Sequence, residues 1–391
     1  MYDVILIGAR CAGSSTAMLL ARSGARVLLL DRAAFPSDTV STHFLHPAGA
    51  AHLDDWGLLE PLMSTGCPPI QEMSFHLADD VVVRSAPLPA GRVTSCVAPR
   101  RTVLDSLLVE AAGAAGAEFR PGCSFQSPVE HEGRIAGVTF TSGGRTSTAR
   151  ARLVIGADGK HSPFARAVGA RTYRDLGVIS CLFYGYWSGL ADKGSQVFVR
   201  DGQAAVAFPT HHGQHCVVVG WSRSRFEEVK QDLDRHFRAT VAELAPEIDA
   251  ALTSGEQHGR IVGAGDLANF YRDSAGPGWG LVGDAGHTRD PASAHGIGDA
   301  FAQAELLADL VSRELGEDSR ALDRAVSAYA AERDRRTTDA FETNAAFAAW
   351  EVPQPLLDVL RVAQHQPERA QRFMGVYAGR VSMSGFLAGA S

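Results

Sequence analysis

The sequence lacks the features that would place it in a membrane, on nucleic acid or around a metal ion. No stretch of its 391 residues approaches the run of about 20 apolar residues that a membrane span needs. The formal charge of −7 leaves no net positive field for nucleic acid or an anionic membrane, although a local basic patch stays open. The six cysteines include no Cys-x-x-Cys pair, and no histidine cluster has metal-ligand spacing, so free thiols are predicted and no metal site. Because no charged leader or apolar signal core precedes the first strand pattern, we expect a cytoplasmic protein.

Lysine is also scarce, since it occurs only at Lys160, Lys193 and Lys230. Arginine therefore supplies nearly all the positive charge. The remaining composition is ordinary, with 45% hydrophobic and 21% charged residues, as in a soluble globular protein of two or three domains.

The first strand, turn and helix carry the most informative pattern. Residues 2–32 read YDVILIGARCAGSSTAMLLARSGARVLLLDR, in which two short apolar runs flank a helical pattern and the second run ends at Asp31. Such a unit puts an anion at the helix N-terminus and an acid on a ribose hydroxyl. The motif Gly-x-Gly-x-x-Gly is incomplete, because Gly8 and Gly13 are present and Arg10 replaces the second glycine. Alone, the stretch is compatible with NAD, NADP, FAD or another α/β packing turn.

In two later stretches a short apolar strand also ends at a pair of Asp and Gly and is followed by a helix. An apolar strand breaks at Asp158-Gly159 and restarts as a helix at Ser162-Pro163. Another strand, beginning at Trp279, ends in Gly283-Asp284 and leads through a loop into a long helix from about residue 297. Alternating patterns within 70–97 and 177–222 predict strands of a second sheet, and helices broken by prolines continue to the C-terminus.

The glycine turn, Asp158-Gly159 and Gly283-Asp284, in this order, resemble the class A flavoprotein monooxygenases. Their para-hydroxybenzoate hydroxylase-like fold is shared with flavin-dependent halogenases and geranylgeranyl reductases. The resemblance covers nearly the whole chain and is weakest after about residue 345. It implies an α/β fold with a Rossmann-like FAD-binding domain of the glutathione-reductase type, an inserted mixed β-sheet substrate domain and a C-terminal helical segment. The expected FAD-binding domain comprises 1–69, 98–175 and 260–340, the substrate domain 70–97 and 176–259, and the C-terminal helices 341–391.

The same resemblance implies the residues that hold FAD. Gly8, Arg10 and Gly13 would carry the turn over the pyrophosphate, and Asp31, followed by Arg32, would bind the adenosine ribose. Arg101 would reach the flavin and Asp284 the ribityl chain, while the loop of Pro291, Gly296, Ile297 and Gly298 would lie along the isoalloxazine. Asp158 would contact both FAD and NAD(P)H, with Arg166 at the neighbouring basic position. Gly298 replaces the asparagine usual in the family, and His295 would lie in the loop beside the flavin, so those ring contacts stay open.

In enzymes of this kind reduced flavin and O2 form a C4a-hydroperoxide. The resemblance therefore implies a monooxygenase (EC 1.14.13-like) that hydroxylates or epoxidises an aromatic or polyketide-like small molecule of secondary metabolism. NAD(P)H would be a transient co-substrate, because no second glycine fingerprint occurs; a separate flavin reductase as partner is an open alternative, as are monomer and homodimer. A phenolic substrate would profit from a general base, for which His43, Tyr184 and His211, and also His46, are candidates by residue type and region.

Three other functions are possible for a chain with these motifs. A reductase of isoprenoid-type double bonds suits the connection at 41–46 and the helix start Gly-Ile-Gly-Asp-Ala-Phe, and is the main alternative. A flavin-binding protein without turnover is disfavoured by the retained glycine and acid positions. A halogenase is disfavoured because no lysine precedes Lys160 and no W-x-W-x-I-P stretch is present.

Overall fold

The computed structural model describes residues 1–389. Its strands in chain order are β1 (Tyr2–Ile7), β2 (Val27–Leu30), β3 (Pro69–Ile70), β4 (Met73–Ala78), β5 (Val81–Ser85), β6 (Cys96–Val97), β7 (Glu118–Arg120), β8 (Cys123–His131), β9 (Arg134–Ser142), β10 (Arg145–Gly156), β11 (Thr172–Val178), β12 (Ser180–Ser188), β13 (Ser195–Arg200), β14 (Gln203–Pro209), β15 (Gln214–Ser222), β16 (Glu256–Ala264), β17 (Ala268–Arg272), β18 (Ala275–Gly276), β19 (Trp279–Leu281) and β20 (His287–Thr288).

The α-helices are α1 (Cys11–Arg22), α2 (Pro47–Asp55), α3 (Leu59–Met63), α4 (Arg101–Ala114), α5 (Pro163–Ala167), α6 (Phe226–Gln231), α7 (Leu233–Leu244), α8 (Pro246–Ser254), α9 (Gly296–Ser312), α10 (Ser319–Ala348), α11 (Gln354–Ala363), α12 (Pro367–Tyr377) and α13 (Met383–Ala388). Short 3-10 turns occupy His211–Gly213, Arg223–Arg225, Gly283–Ala285 and Pro291–Ser293. Within residues 1–389, no helix combines the length and the apolar character needed to cross a membrane.

The N-terminal pattern forms the centre of a largely parallel sheet. Its strand order is β18-β19-β10-β1-β2-β7, and β1 pairs in parallel with both β2 and β10. Both faces of β1 are covered: Val4 and Leu6 pack on helices such as α1, α4 and α9, while Ile5 and Ile7 pack on the β8-β9 ribbon and α5. A strand buried on both faces reads as a continuous apolar run, which explains the sequence pattern. The expected Rossmann-like α/β domain is confirmed.

A second sheet has seven strands in the order β16-β12-β15-β14-β13-β4-β5. Side chains alternate along its strands, so Leu182, Tyr184 and Tyr186 of β12 share one face, called the inner face here. On the opposite face the Trp187 ring lies 5.6 Å from the ring of Phe237 in α7. The aromatic residues of β12 therefore divide between core packing on the outer face and a wall on the inner face.

The C-terminal helices pack against the inner face of the second sheet. The 30-residue helix α10 runs without a break from Ser319 to Ala348, so the domain boundary expected at residue 341 falls inside it. Residues 390 and 391 of the expected C-terminal segment lie outside the described residues. The strands of the second sheet come from 73–85 and 180–264, so its strand β16 runs past residue 259, the expected end of the substrate domain. The finer domain boundaries stay a prediction.

Candidate active site

The turn between β1 and α1 is in close contact with the ends of β10 and β19. A Cβ atom on Gly8 would lie 2.4 Å from the carbonyl oxygen of Ala157, and one on Gly13 would lie 1.8 Å from the carbonyl oxygen of Gly8. A Cβ on Gly283 would lie 2.7 Å from the Cβ of Ala12. Only glycine permits such approaches. The three separate motifs thus meet at the carboxyl ends of parallel strands, where α/β sheets bind ligands.

The first turn of α1 is open to an anion. Its N-cap residue Arg10 gives no side-chain hydrogen bond to the helix, and no acidic residue lies in the first turn. The free N–H groups at the start of a helix carry a partial positive charge. A phosphate group would satisfy them, and the tight glycine turn leaves it room to approach.

The Arg10 side chain turns away from that helix start. Its Nη1 lies 2.6 Å from Asp105 of α4, and its Nη2 donates to the Ser37 hydroxyl at 2.9 Å and to the Asp38 carbonyl at 3.1 Å. Arg10 therefore fastens the segment after β2 to α4. Its guanidinium has protein partners, which leaves the backbone of Arg10 as the group that would face a cofactor.

Asp31 supports the turn from the end of β2. Its carboxylate accepts hydrogen bonds from the backbone N–H of Ala9 at 2.6 Å and of Ala33 at 2.7 Å. The neighbouring Arg32 is exposed and has no hydrogen-bond or ion-pair partner within the described chain. Asp31 thus orders the glycine turn itself, and its expected contact with a ribose would use the lone pairs that remain.

Asp284 lies deep in a cleft. Its side chain is accessible to solvent although protein atoms surround it, and it has no hydrogen-bond or ion-pair partner among residues 1–389. Burial, together with the nearby Asp299, raises the pKa of Asp284 to about 6, while Arg101 opposes the shift. A carboxylate that faces a cleft and has no protein partner is free to accept hydrogen bonds from a ligand there. FAD, with its ribityl hydroxyls, carries such donors.

Arg101 stands at the start of α4, between this cleft and the Arg10 cluster. Its Nε and Nη2 each donate to the Asp105 carboxylate at 3.0 Å. Asp105 is completely buried and binds both arginines, so it holds the Arg101 guanidinium in one orientation. The remaining Nη1 of Arg101 has no protein partner within residues 1–389 and is the group available to a ligand in the cleft.

Asp158 is engaged by the helix that follows it. Its carboxylate accepts hydrogen bonds from the Ser162 hydroxyl and, at 3.1 Å, from the backbone N–H of Phe164. Burial raises the pKa of Asp158. The expected basic residue Arg166 is exposed and donates to the His161 carbonyl. Asp158 therefore binds the N-cap residue Ser162 and the first turn of α5, and its contact with FAD and NAD(P)H stays a prediction.

The loop from Asp290 to His295 is held by three other parts of the chain. Asn344 of α10 donates to the Asp290 carbonyl at 2.9 Å and accepts from the Ser293 hydroxyl. The Tyr377 hydroxyl of α12 donates to the Ala292 carbonyl at 2.7 Å, and Nε2 of His46 lies 2.9 Å from the Ser293 carbonyl. Since a carbonyl only accepts, that nitrogen of His46 carries the proton. These bonds fix the loop of Pro291 that the sequence predicts to lie along the isoalloxazine.

The helix α9 begins directly after this loop with an open first turn. Gly296 has no atom within 4 Å of a Cβ position, so it borders empty space, whereas Ile297 is buried. Gly298 contacts Gly49 of α2, whose own Cβ would lie 3.2 Å from the Gly298 Cα. The family's asparagine is thus replaced by a residue that lets two helices approach closely. His295, the N-cap residue, turns its Nε2 to the Tyr377 carbonyl at 2.9 Å.

An apolar cavity of about 400 Å³ adjoins the same loop. Pro291, Ala292 and Ala294 form one wall, and the inner face of the second sheet forms another. Residues of the connection after β2 and of the C-terminal segment complete the lining: Thr42, Phe44, Leu182, Ser195, Val197, Val206, Phe208, Val218, Trp350 and Tyr377. A concave, predominantly apolar lining of this kind is typical of a small-molecule site.

Two of the predicted catalytic residues lie together beside this cavity. Nε2 of His43 is 2.9 Å from the Tyr186 hydroxyl, and the rings of Tyr184 and Tyr186 are 5.7 Å apart. Burial, with Arg100 nearby, lowers the pKa of His43 to about 3, so its imidazole is neutral. The Tyr184 hydroxyl accepts from the Ser41 N–H at 3.1 Å, and burial raises its pKa.

His211, the third predicted catalytic residue, is held between Arg100 and Thr65. Its Nδ1 accepts from the Arg100 N–H at 3.2 Å, and its Nε2 lies 2.8 Å from the Thr65 hydroxyl. Both ring nitrogens therefore have protein partners. By contrast, Nδ1 of His43 and Nδ1 of His46 are buried without one, within the part of the chain that the structure describes. Because Nε2 of His46 carries the proton, Nδ1 of His46 is a proton acceptor without a partner. The ring of His43 also faces the backbone carbonyl of Ala98, so its Nδ1 is not assigned as an acceptor.

Several features of this site were not predicted. The contact of Tyr186 with His43 is one of them, although Tyr186 follows Tyr184 by two positions and strand periodicity places both on one face. Arg100, whose guanidinium lies 3.5 Å from the Tyr186 ring centre, precedes the predicted Arg101. Asn344, Trp350 and Tyr377 have no local signal, because their roles arise only when the C-terminal helices pack on the sheet.

One known protein family matches most of the chain. The model of the FAD-binding domain family matches residues 1–344. The chain belongs to that family. Its members' cofactor suits the open helix starts and the unpaired Asp284 described above.

Two curated relatives have different activities. The chain is 28% identical over 355 residues, 86% of this chain and 82% of the other, to a 6-methylpretetramide 4-monooxygenase of Streptomyces rimosus. It is 27% identical, over 80% and 77% of the two chains, to a digeranylgeranylglycerophospholipid reductase of Methanocella arvoryzae.

Solved structures share the fold. The flavin-dependent brominase Bmp2 aligns with a TM-score of 0.82 at 15% identity, over 97% of this chain and 93% of its own. PqsL of Pseudomonas aeruginosa, solved with 2-aminobenzoylacetate, aligns with a TM-score of 0.73 at 23% identity, over 96% and 99% of the two chains. At these identities the likeness concerns the fold alone.

Proposed function

We propose that the protein is an FAD-dependent monooxygenase that hydroxylates or epoxidises an aromatic or polyketide-like small molecule, with NAD(P)H and O2 as co-substrates. The supporting observation is that the loop from Pro291 to Ala294 forms one wall of the apolar cavity and leads directly into helix α9, whose start would face the cofactor. A substrate in that cavity would lie next to the cofactor. The similarity to a monooxygenase over most of both chains points the same way.

The chain's own residues have distinct tasks in this proposal. The open start of α1 would hold the pyrophosphate, Asp284 and Arg101 the middle of the cofactor, and the start of α9 its electron-accepting end. Bound FAD would supply the redox chemistry, taking electrons from NAD(P)H and delivering them to O2. Apolar side chains such as Phe208 and Val218 exclude water from the reacting atoms.

A proton acceptor is also present for a phenolic substrate. His43 and His46 are neutral at pH 7, because burial lowers the pKa of the first to about 3 and of the second to about 4. Each keeps one buried ring nitrogen without a partner among residues 1–389. Both rings lie behind the cavity lining: the His43 ring is 6.0 Å from the ring of Phe208, and the His46 ring is 5.2 Å from that of Phe44 and 5.6 Å from that of Tyr377.

The decisive experiment measures bound flavin, NAD(P)H oxidation and O2 consumption on the same purified protein. Purified protein should be yellow, or become yellow with FAD, and NAD(P)H oxidation should accelerate severalfold when an accepted aromatic substrate is added, with O2 consumed in step. A colourless protein that cannot be reconstituted would contradict the cofactor assignment. If NAD(P)H reduces the flavin only when a flavin reductase is added, the direct electron donor in this proposal is wrong. The proposed reaction of the reduced flavin with O2 is not affected by that result.

A reductase of isoprenoid-type double bonds is the second candidate. The similarity to a digeranylgeranylglycerophospholipid reductase and the apolar lining of the cavity favour it. A polyprenyl substrate turned over under strict anaerobiosis, with no O2 requirement, would support this function over the first.

A further inference from the structure

The connection between β2 and α2 leads from the protein surface to the wall of the apolar cavity. Residues 31–46 contain neither helix nor strand, and connections of this length usually have a function. Val40 is 57% exposed, whereas Thr42 lines the cavity and His43 is buried. Residues 37–43, called the strap here, therefore link the surface to the cavity.

The side chain of Arg10 holds the outer end of the strap. Its Nη2 donates to the Ser37 hydroxyl at 2.9 Å and to the Asp38 carbonyl at 3.1 Å. Its Nη1 donates to the carboxylate of Asp105 at 2.6 Å. One planar guanidinium therefore ties the strap to a buried acid of α4. A lysine ammonium is a single point charge, so it cannot hold both partners in this geometry.

Asp105 connects this anchor to the cofactor cleft. It is completely buried and also accepts hydrogen bonds from Nε and Nη2 of Arg101 at 3.0 Å. Hydrogen bonds between ionised partners are stronger than neutral ones, and the paired contacts fix the orientation of the groups involved. Arg101, Asp105 and Arg10 thus form a continuous ionic chain from the cofactor cleft to the strap.

The inner end of the strap is held by the second sheet. The backbone N–H of Ser41 donates to the Tyr184 hydroxyl at 3.1 Å, and Nε2 of His43 lies 2.9 Å from the Tyr186 hydroxyl. His43 has a φ of +45°, a left-handed value that is uncommon for residues other than glycine. Such strain persists where the surrounding structure fixes the residue. Between the two anchors, Thr42 forms part of the cavity wall.

We propose that Arg10 is a positioning residue of the active site. By holding the outer end of the strap, its side chain keeps Thr42 in the cavity wall and keeps bulk water out of the cavity. Arginine at the second glycine position of the motif then has two tasks, because its backbone belongs to the cofactor turn and its side chain to the strap. This inference deepens the proposed function and rests on it for the identity of the cavity as the substrate site.

The first test measures the mobility of the strap in FAD-loaded protein. A nitroxide label on Val40→Cys is observed by electron paramagnetic resonance, and the introduced thiol reacts selectively because the six native cysteines are buried. Arg10→Lys keeps a positive charge for Asp105 and loses the two-pronged contact. We expect the ratio of mobile to immobile label to rise about two- to tenfold, as for one or two lost hydrogen bonds, with little change in the unfolding free energy.

Two further variants separate the strap from the rest of the chain. Ser37→Ala removes a strap acceptor and leaves the pair of Arg10 and Asp105 intact, so it should also raise the mobility of the label. Arg171→Lys is the matched control, since it alters an exposed ion pair with Asp273 and should leave the label unchanged. An immobile label in both Arg10→Lys and Ser37→Ala would overturn the role of Arg10.

The second test measures the cavity itself. The dissociation constant of 2-naphthol, taken from the change in flavin absorption, should rise about two- to tenfold in Arg10→Lys and stay unchanged in Arg171→Lys. With an aromatic substrate that is turned over, KM should rise by the same factor while kcat changes less than about twofold, because bound substrate holds the cavity closed. Equal affinity for 2-naphthol in wild type and Arg10→Lys, or no binding to either, would overturn the role of the strap as a cavity wall.

These outcomes are distinct from failure of the proposed reaction. Label mobility and 2-naphthol binding are measured without turnover and do not depend on O2. A mobile label and weakened binding in Arg10→Lys, in a protein that consumes no O2 with any aromatic compound, would reject the monooxygenase and leave the role of Arg10 in place.

Discussion

Replacing Asp284 by asparagine should have opposite effects on cofactor affinity and on the stability of the cofactor-free protein. The carboxylate lies in the cleft without a partner among residues 1–389, and its pKa is raised to about 6. Its charge is therefore unfavourable until a ligand donates hydrogen bonds to it. Asparagine removes the charge with little change of shape, so the cofactor-free variant should unfold at a higher temperature than the wild type at pH 7.

The expected loss of FAD affinity follows from the same carboxylate. A hydrogen bond to a charged group contributes about 1.5–3 kcal/mol. This range corresponds to a roughly 10- to 150-fold increase in the dissociation constant of FAD. Asparagine still accepts one hydrogen bond through its amide oxygen, which places the expected value nearer the lower end.

The pH dependence of stability and of FAD affinity tests the same assignment independently. In the cofactor-free protein the raised pKa means that the folded state holds the proton more tightly than the unfolded chain, so this group's contribution to stability falls as pH rises from about 4 to 6. Donors from FAD favour the carboxylate, so FAD binding should release a proton and FAD affinity should rise from pH 5 to pH 7. The asparagine variant should lose that part of the rise.

The assay is reconstitution of cofactor-free protein with FAD, followed by the quenching of flavin fluorescence at several pH values, beside thermal unfolding of the same samples. Asp79→Asn is the control, since Asp79 is an exposed acid that pairs with Arg200. Unchanged FAD affinity in Asp284→Asn, with unchanged pH dependence, would refute the assignment of Asp284 to the cofactor.

Three further changes test the turn, its arginine and a buried histidine. Gly13→Ala should abolish FAD binding, because its Cβ would lie 1.8 Å from a backbone oxygen. The control Gly24→Ala, at a φ of +88° and with no neighbour within 4 Å, should cost about 1 kcal/mol of stability and keep FAD. Equal loss of FAD from both variants would contradict the argument from close approach. Arg10→Gly should lower the free energy of unfolding by about 1–3 kcal/mol in denaturant titrations, because buried Asp105 loses one partner. The same variant should change FAD affinity less than threefold. A tenfold loss of FAD affinity would instead assign the Arg10 side chain to the cofactor. Burial lowers the pKa of His46 to about 4, so its contribution to stability is complete above pH 6.5 and falls by about 1.4 kcal/mol per pH unit toward pH 4. His46→Gln should therefore reduce the dependence of the unfolding free energy on pH in that window. An unchanged dependence on pH would show that His46 is protonated in the folded state.

The parallel sheet and the cofactor turn could be predicted because their determinants are local. Gly8 and Gly13 contact each other within one turn, and the apolar runs of β1 and β2 reflect burial on both faces of the sheet. Asp284 could be placed at a strand end from its neighbours alone. The same local reasoning anticipated an anion site at α1, which the structure leaves uncapped.

What the sequence determined by itself was thus the α/β core, the order of its motifs and the identity of the acids and glycines at the strand ends. Only the tertiary structure decided which partners those residues have. Arg10 binds Asp105 of another helix, and Trp350 fits a slot at Gly220 on the second sheet. The physical reason is that a side chain's charge, strain and unpaired donors depend on neighbours distant in the chain, and these neighbours are fixed only when the sheets and the C-terminal helices pack together.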